Sequence, residues 1–184
     1  MPPVARPNDA AGRAMTASRL GPYIGLGFTV AIAIFLADQA TKLLVLRGLE
    51  LRLGDRLEVA PFLDLVLTYN RGISYGLFQQ ESESGRWLLI TLTLVAAVLF
   101  TFWMSRTHSR LVAVALALLI GGAVGNALDR MVYGAVVDFV SLHAFGWRWY
   151  VFNLADTSIV AGVLGLLYDA ITGSATKSPP SGRS

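Results

Sequence analysis

Cysteine is absent from all 184 residues. That removes disulfides, thiolate metal sites, cysteine nucleophiles and lipidation of this chain on cysteine in one step. The only histidines are His108 and His143, too few and too far apart for an HExxH zinc site. Charge is scarce as well: 15% of residues are charged, where a soluble domain carries about 25%. The net charge of +3 is modest, and the arginines are scattered rather than clustered with aromatics, so nucleic acid is not an expected partner. No metal or cofactor is suggested. Any hydrolytic chemistry has to come from carboxylates, hydroxyls, Lys42, or water activated by one of them.

What the chain has in abundance is apolar mass. Hydrophobic residues make up 54%, the mean hydropathy is +0.57, and the excess is gathered into long runs, as in a multi-pass membrane protein. Four spans are expected, at roughly 21–46, 86–105, 110–132 and 152–172. Each holds the ~20 helical residues needed to cross a ~30 Å hydrocarbon core. The first run could pass for a secretory signal peptide. It lacks a small-residue cleavage site, however, and continues past Asp38 into Leu43–Leu46. Residues 1–19 and 173–184 read as disordered polar tails around a single membrane domain, 20–172.

An even number of spans puts both termini on one side. The Lys/Arg rule does not say which, because the two sides carry seven basic residues each. Between the first two spans, 47–80 carries partial alternation and β-branched or aromatic residues, so two or three short strands on the membrane surface are expected. The aromatic-rich stretch 133–151 is expected as a loop along the headgroup region.

Four polar groups interrupt or flank the spans, all toward the face opposite the termini. In DQATK, Asp38 and Lys42 stand four apart on one helix face, acid first, the better order for a pair. They can fasten one helix to its neighbours or touch substrate. YNRGISYGLF (69–78) places Asn70 and Gly72 in a turn or a binding loop, with Gly72 free to take positive φ. GGAVGNALDR (121–130) closes the third span with a GxxxG spacing for close helix approach. Asn126 and Arg130 share a face there beside Asp129, as a polar tether or a binding wall.

The fourth group pairs Asp138 in GAVVDFV with Asp156 in FNLADTSI. Through a short connection both carboxylates should reach the same depth, and Asn153 lies on the face of Asp156. Two carboxylates close together in a dry site share a proton, one serving as base toward water and the other as acid toward a carbonyl. Helix capping competes as an explanation of Asp156, since an acid in a first turn is favoured by orphan N–H groups. Capping explains one aspartate and not two.

Taken in register, DQATK, NRGISYG, GGAVGNALDRMVYGAVVDFV and FNLADTSI resemble the lipoprotein signal peptidase (signal peptidase II) family of bacteria. The resemblance covers nearly the whole core and omits only the tails. It implies a mainly α polytopic membrane protein, with four transmembrane helices and a small extramembrane β-sheet on the outer face. It also implies an intramembrane aspartyl endopeptidase that removes the signal peptide of diacylglyceryl-modified prolipoproteins just before the lipidated cysteine. Asp138 and Asp156 match the family's catalytic pair. Asn70, Asn126, Arg130, Asn153, Asp38, Lys42 and Asp129 match positions that shape the site or hold substrate, and Gly72 is grouped with them. The bacterial inner membrane, cytoplasmic termini and a site near the outer leaflet are implied too, which would break the tie in basic residues. The expected partners are lipidated prolipoproteins and membrane lipid, and the chain is expected to act as a monomer. Two departures, Tyr75 where Phe is commoner and Tyr150 where Pro often stands, put local loop shape in doubt.

Rival chemistries leave weaker traces. A Ser/Lys hydrolase would use Lys42 with Ser74 or Ser141, but Asp38 should hold Lys42 protonated. A presenilin-like protease lacks its GxGD. Intramembrane acids also mark ion pathways, yet here they cluster at one depth and no inverted repeat occurs.

Overall fold

The computed structural model describes residues 20–72 and 82–175. The expected tails at 1–19 and 176–184, and the stretch 73–81 with Ser74 and Tyr75, lie outside the described residues. Four helices dominate: α1 (Ile24–Leu43), continued by a π-helical segment at Leu44–Gly48, then α2 (Glu83–Met104), α3 (Arg110–Tyr133) and α4 (Leu154–Ala175). All four are long and apolar enough to cross a membrane. Their ends fall within three residues of the expected spans. Ser82 explains the early start of α2: its hydroxyl accepts from the backbone N–H of Gly85 at 3.2 Å, and Ser109 caps α3 through Val112 in the same way.

The central helix is α3. Its apolar window is 67% buried, against 17–22% for the other three, so the others shield it and turn their own apolar faces outward. Two adjacent glycines make this possible. A Cβ on Gly121 would come within 2.6 Å of the Ala31 carbonyl oxygen on α1, and one on Gly122 within 2.5 Å of the Ala155 carbonyl oxygen on α4. Small residues let backbones approach this closely where lipid supplies no hydrophobic drive between helices.

At one end of the bundle lies a four-stranded antiparallel sheet in the order β1 (Arg56–Ala60), β2 (Leu63–Asn70), β3 (Val136–Ala144), β4 (Trp147–Arg148). Val45, Leu67, Val137 and Phe139 form a small buried cluster that seats the sheet on the end of α1. Half of the sheet therefore comes from 133–151, where a loop is expected. The pattern misleads because Ala135–Phe139 is buried at every residue. A strand covered on both faces reads as an apolar run rather than an alternation. Phe145 (φ 52°) and Gly146 (φ 82°) turn the β3–β4 hairpin with two positive φ values, as a type I′ turn requires.

The β2–β3 register shifts by one residue between Leu65 and Thr68. Such a bulge re-aims the side chains beyond it. Thr68 then pairs with Asp138 and Asn70 with Val136, which brings Asn70 onto the face of the sheet that carries Asp138.

Candidate active site

Asp138 sits in β3 and Asp156 in the first turn of α4. Capping does operate at Asp156. The Asn153 side-chain oxygen accepts from the Asp156 N–H at 2.9 Å, and Asp156 Oδ2 accepts from the Asn153 N–H at 3.4 Å, the reciprocal arrangement of a capping box. The cap does not exhaust the carboxylate, because Asp156 Oδ1 accepts from Asn126 Nδ2 at 2.9 Å.

Asp138 is fully buried, and both of its oxygens are engaged by amides. Asn153 Nδ2 donates to Oδ1 at 2.8 Å and Asn70 Nδ2 to Oδ2 at 3.1 Å. Asn153 Nδ2 also lies 3.1 Å from Asn126 Oδ1. The two aspartates are thus joined by a continuous chain, Asp138–Asn153–Asn126–Asp156. Burial pushes the Asp138 carboxyl up to about 7, the Asp156 charge adds to the rise, and the Asn70 and Asn153 amides moderate it. At neutral pH this acid is poised between its two forms.

The remaining expected residues fall around this pair. Arg130 is buried; it donates to the Gly72 carbonyl oxygen at 2.7 Å through Nη2 and to the Asn126 carbonyl oxygen through Nη1 at 3.3 Å. Gly72 in turn donates its N–H to Asn70 Oδ1 at 3.0 Å, so the NRG segment both turns and points Asn70 at Asp138. Asp38, Lys42 and Asp129 are buried one layer behind. The Lys42 ammonium lies 2.7 Å from Asp38 Oδ2, 2.7 Å from Asp129 Oδ2 and 3.2 Å from Asn126 Oδ1. Its three donors are matched by three acceptors, none of them Ser141 on β3, so the Ser/Lys arrangement is not built with that serine. No group of three His, Cys, Asp or Glu side chains among the described residues converges to hold a metal.

Two cavities meet at Asp156, beside the fully buried Asp138. One, of about 350 Å³, lies between the β4 side of the sheet and α4, walled by Trp149, Tyr150 and Phe152. The other, of about 290 Å³, lies among α2, α3 and α4 and is bounded by Leu89, Ala123 and Arg130. Asn70 and Asp156 line both. Tyr150 stands near the carboxylates: its phenol is pushed up by partial burial and then by the charges of Asp138 and Asp156.

Gln39 escaped the sequence reading. Its Nε2 lies 3.1 Å from Asp38 Oδ2 and 3.1 Å from Asp129 Oδ1. Its position inside DQATK, one residue after a buried acid, was the only signal available.

This arrangement has known relatives. Residues 30–172 match the family model described as signal peptidase (SPase) II. Similar curated proteins include a lipoprotein signal peptidase of Methylobacterium radiotolerans, 54% identical over 79% of this chain and 85% of that one. Another, from Methylorubrum extorquens, is 54% identical over 85% and 88%. A third, from Rhodopseudomonas palustris, is 47% identical over 85% and 98%. Two solved bacterial membrane enzymes, determined by the in meso method, share the fold. One superposes with a TM-score of 0.78 at 26% identity over 90% of this chain and 99% of its own. The other gives 0.70 at 27% identity over 83% and 96%. The chain is a multi-pass membrane peptidase that belongs to the signal peptidase II family.

Proposed function

We propose that this protein removes the signal peptide from diacylglyceryl-modified prolipoproteins, cutting just before the lipidated cysteine, with Asp138 and Asp156 as the catalytic residues of an aspartyl mechanism. The observation that carries the reading is the amide-bridged pair, whose Asp156 lines two cavities and whose buried Asp138 holds its proton to about pH 7. One carboxylate takes a proton from water, whose oxygen attacks the scissile carbonyl carbon while the protonated partner donates to the carbonyl oxygen. Collapse of the resulting diol breaks the C–N bond, and the proton gained from water passes to the leaving amine. The pair shares one proton and titrates as a unit, so the roles are assigned to the pair. Asn70 and Arg130 hold the walls, and Asn126 and Asn153 hold the two carboxylates.

The physical difficulty is hydrolysis where water is scarce and the substrate's lipid stays in the bilayer. A site at the sheet end of the bundle answers it, since water can reach Asp156 from outside while the acyl chains remain in the bilayer. The reading places this end near the outer leaflet of the bacterial inner membrane, both termini in the cytoplasm, and the working form as a monomer in lipid. The test is cleavage of a lipidated prolipoprotein peptide by purified protein. Asp138→Asn and Asp156→Asn should each lower turnover by at least about 10³-fold while the protein still unfolds cooperatively. Normal turnover by Asp138→Asn overturns the assignment.

A further inference from the structure

The Asp38–Lys42–Asp129 group would suffice as a helix tether if its bonds stopped at α1 and α3. They do not. Asp38 Oδ1 accepts the backbone N–H of Ala155 at 2.9 Å, and Ala155 immediately precedes Asp156. Asp129 Oδ2 accepts the backbone N–H of Val137 at 3.1 Å, and Val137 immediately precedes Asp138. Each acid therefore grips the backbone N–H of the residue just ahead of one member of the pair. Lys42 Nζ joins the two acids from one side, and the Gln39 amide joins them a second time through the opposite oxygen of Asp129.

We propose that Asp38, Gln39, Lys42 and Asp129 form a clasp that sets the separation and facing of Asp138 and Asp156, with Gln39 and Lys42 as positioning residues for peptide cleavage. The proposal rests on the aspartyl reading above.

A second route runs to the same end. Lys42 donates to Asn126 Oδ1, which also accepts from Asn153 Nδ2. With its oxygen held by two donors, the Asn126 amide cannot flip without losing both, and its Nδ2 stays aimed at Asp156 Oδ1. Lys42 thus acts on Asp156 through Asn126 and through Asp38, and on Asp138 through Asp129. Three buried charges are a costly way to fasten helices, and apolar packing often does as well or better. What apolar side chains cannot do is accept two specified backbone N–H groups at a fixed spacing. A dyad that must share one proton across two chain segments 18 residues apart (138 and 156) needs that spacing.

The test is steady-state cleavage of a lipidated prolipoprotein peptide by wild type, Lys42→Met, Gln39→Met and Asp138→Asn, normalised to folded protein by thermal unfolding. A displacement of the order of 1 Å at reacting groups costs about 10²-fold in rate. Lys42→Met should accordingly lose about 10²-fold in kcat, and Gln39→Met, which leaves the ammonium bridge in place, about 3–10-fold. KM should stay within about twofold in both, because neither residue lines either cavity at Asp156. Both should displace a limb of the pH–rate profile, which a merely structural tether would not move. Wild-type kcat and an unmoved profile in folded Lys42→Met, or a change confined to KM, overturn the clasp. Where Lys42→Met does not fold, the same readings on Gln39→Met, half-buried and uncharged, decide it. Loss of cleavage in Asp138→Asn beside an unaffected clasp variant overturns the clasp alone, whereas normal cleavage by Asp138→Asn removes the dyad beneath it.

Discussion

Among the described residues, two clusters pair buried aspartates with basic side chains, and they are built in opposite ways. In the bundle, Asp38 and Asp129 face Lys42, and all three are at most 1% exposed. In the sheet, Asp64 on β2 is equally buried, but its partners are Arg56 on β1, His143 on β3 and Arg148 on β4, with side chains 41%, 27% and 54% exposed. Each strand gives one member, so the sheet cluster knits four strands together. Its two arginines stay in water, and losing either strands no charge in a dry place. The bundle cluster has no such reserve. The difference teaches that the count of ion pairs says little about what they hold; the solvent access of the base decides.

The largest effect that would break this contrast comes from removing one acid of the bundle. Asp129→Ala leaves Lys42 with one carboxylate and leaves the Val137 N–H without its acceptor. Breaking a buried pair costs about 3–5 kcal/mol. Asp129→Ala should therefore lower the unfolding temperature in detergent by more than any single replacement in the sheet cluster. A loss under about 1 kcal/mol would place the two clusters in the same class.

Next in size is a third kind of buried acid, Asp138, which has amides and a second acid for neighbours and, among the described residues, no base at ion-pair distance. Its carboxyl keeps its proton to about pH 7 in the folded protein, against 3.8 for an ordinary aspartate. Between those values the native state binds more protons than the unfolded chain, so this group's contribution to stability falls as pH rises and is level outside the window. Asp138→Asn removes the contribution. The stability difference, variant minus wild type, should grow between about pH 4 and 7, by something on the order of 2–4 kcal/mol, and then flatten. Thermal unfolding at a series of pH values checks the sign. A difference that shrinks with pH would mean Asp138 is stabilised as an anion.

These contrasts also mark what could be seen in the chain beforehand. The spans were legible because ~20-residue apolar runs have few other readings. The pairing of Asp38 with Lys42 was legible because helix spacing puts i and i+4 on one face. Asn153 and Asp156 announced a helix start. The strand bearing Asp138 was hidden, because burial on both faces erased its alternation and its partner β2 lies 66 residues upstream, from Asn70 to Val136. The bulge at Leu65–Thr68, which turns Asn70 toward Asp138, has no sequence signature of its own. Gln39 carried no charge and no period to flag it. Asp64 could not be tied to Arg56, His143 and Arg148 until four strands were assembled in order. The proposed catalytic pair was thus within reach of motif and depth, whereas the bonds tying Asp38 and Asp129 to its strand and helix were not, since they run through backbone N–H groups that every residue carries.

The smallest expected effect is the sharpest check on the sheet cluster. Arg148 Nη1 stands 3.7 Å from Asp64 Oδ2, at the edge of what counts as an ion pair, on a two-residue strand. Its removal leaves Asp64 with Arg56 at 3.4 Å and His143 at 3.2 Å, so no bare carboxylate remains. Exposed pairs contribute about 0–1 kcal/mol and are screened by salt. Arg148→Ala should cost less than about 1 kcal/mol, and the cost should shrink further in 1 M salt, where the screening length falls to about 3 Å. The Asp129→Ala penalty, set by desolvation rather than long-range attraction, should persist at the same salt. A salt-insensitive loss above about 2 kcal/mol from Arg148→Ala would mean that the guanidinium is held as tightly as Lys42, and that the sheet depends on a buried charge after all.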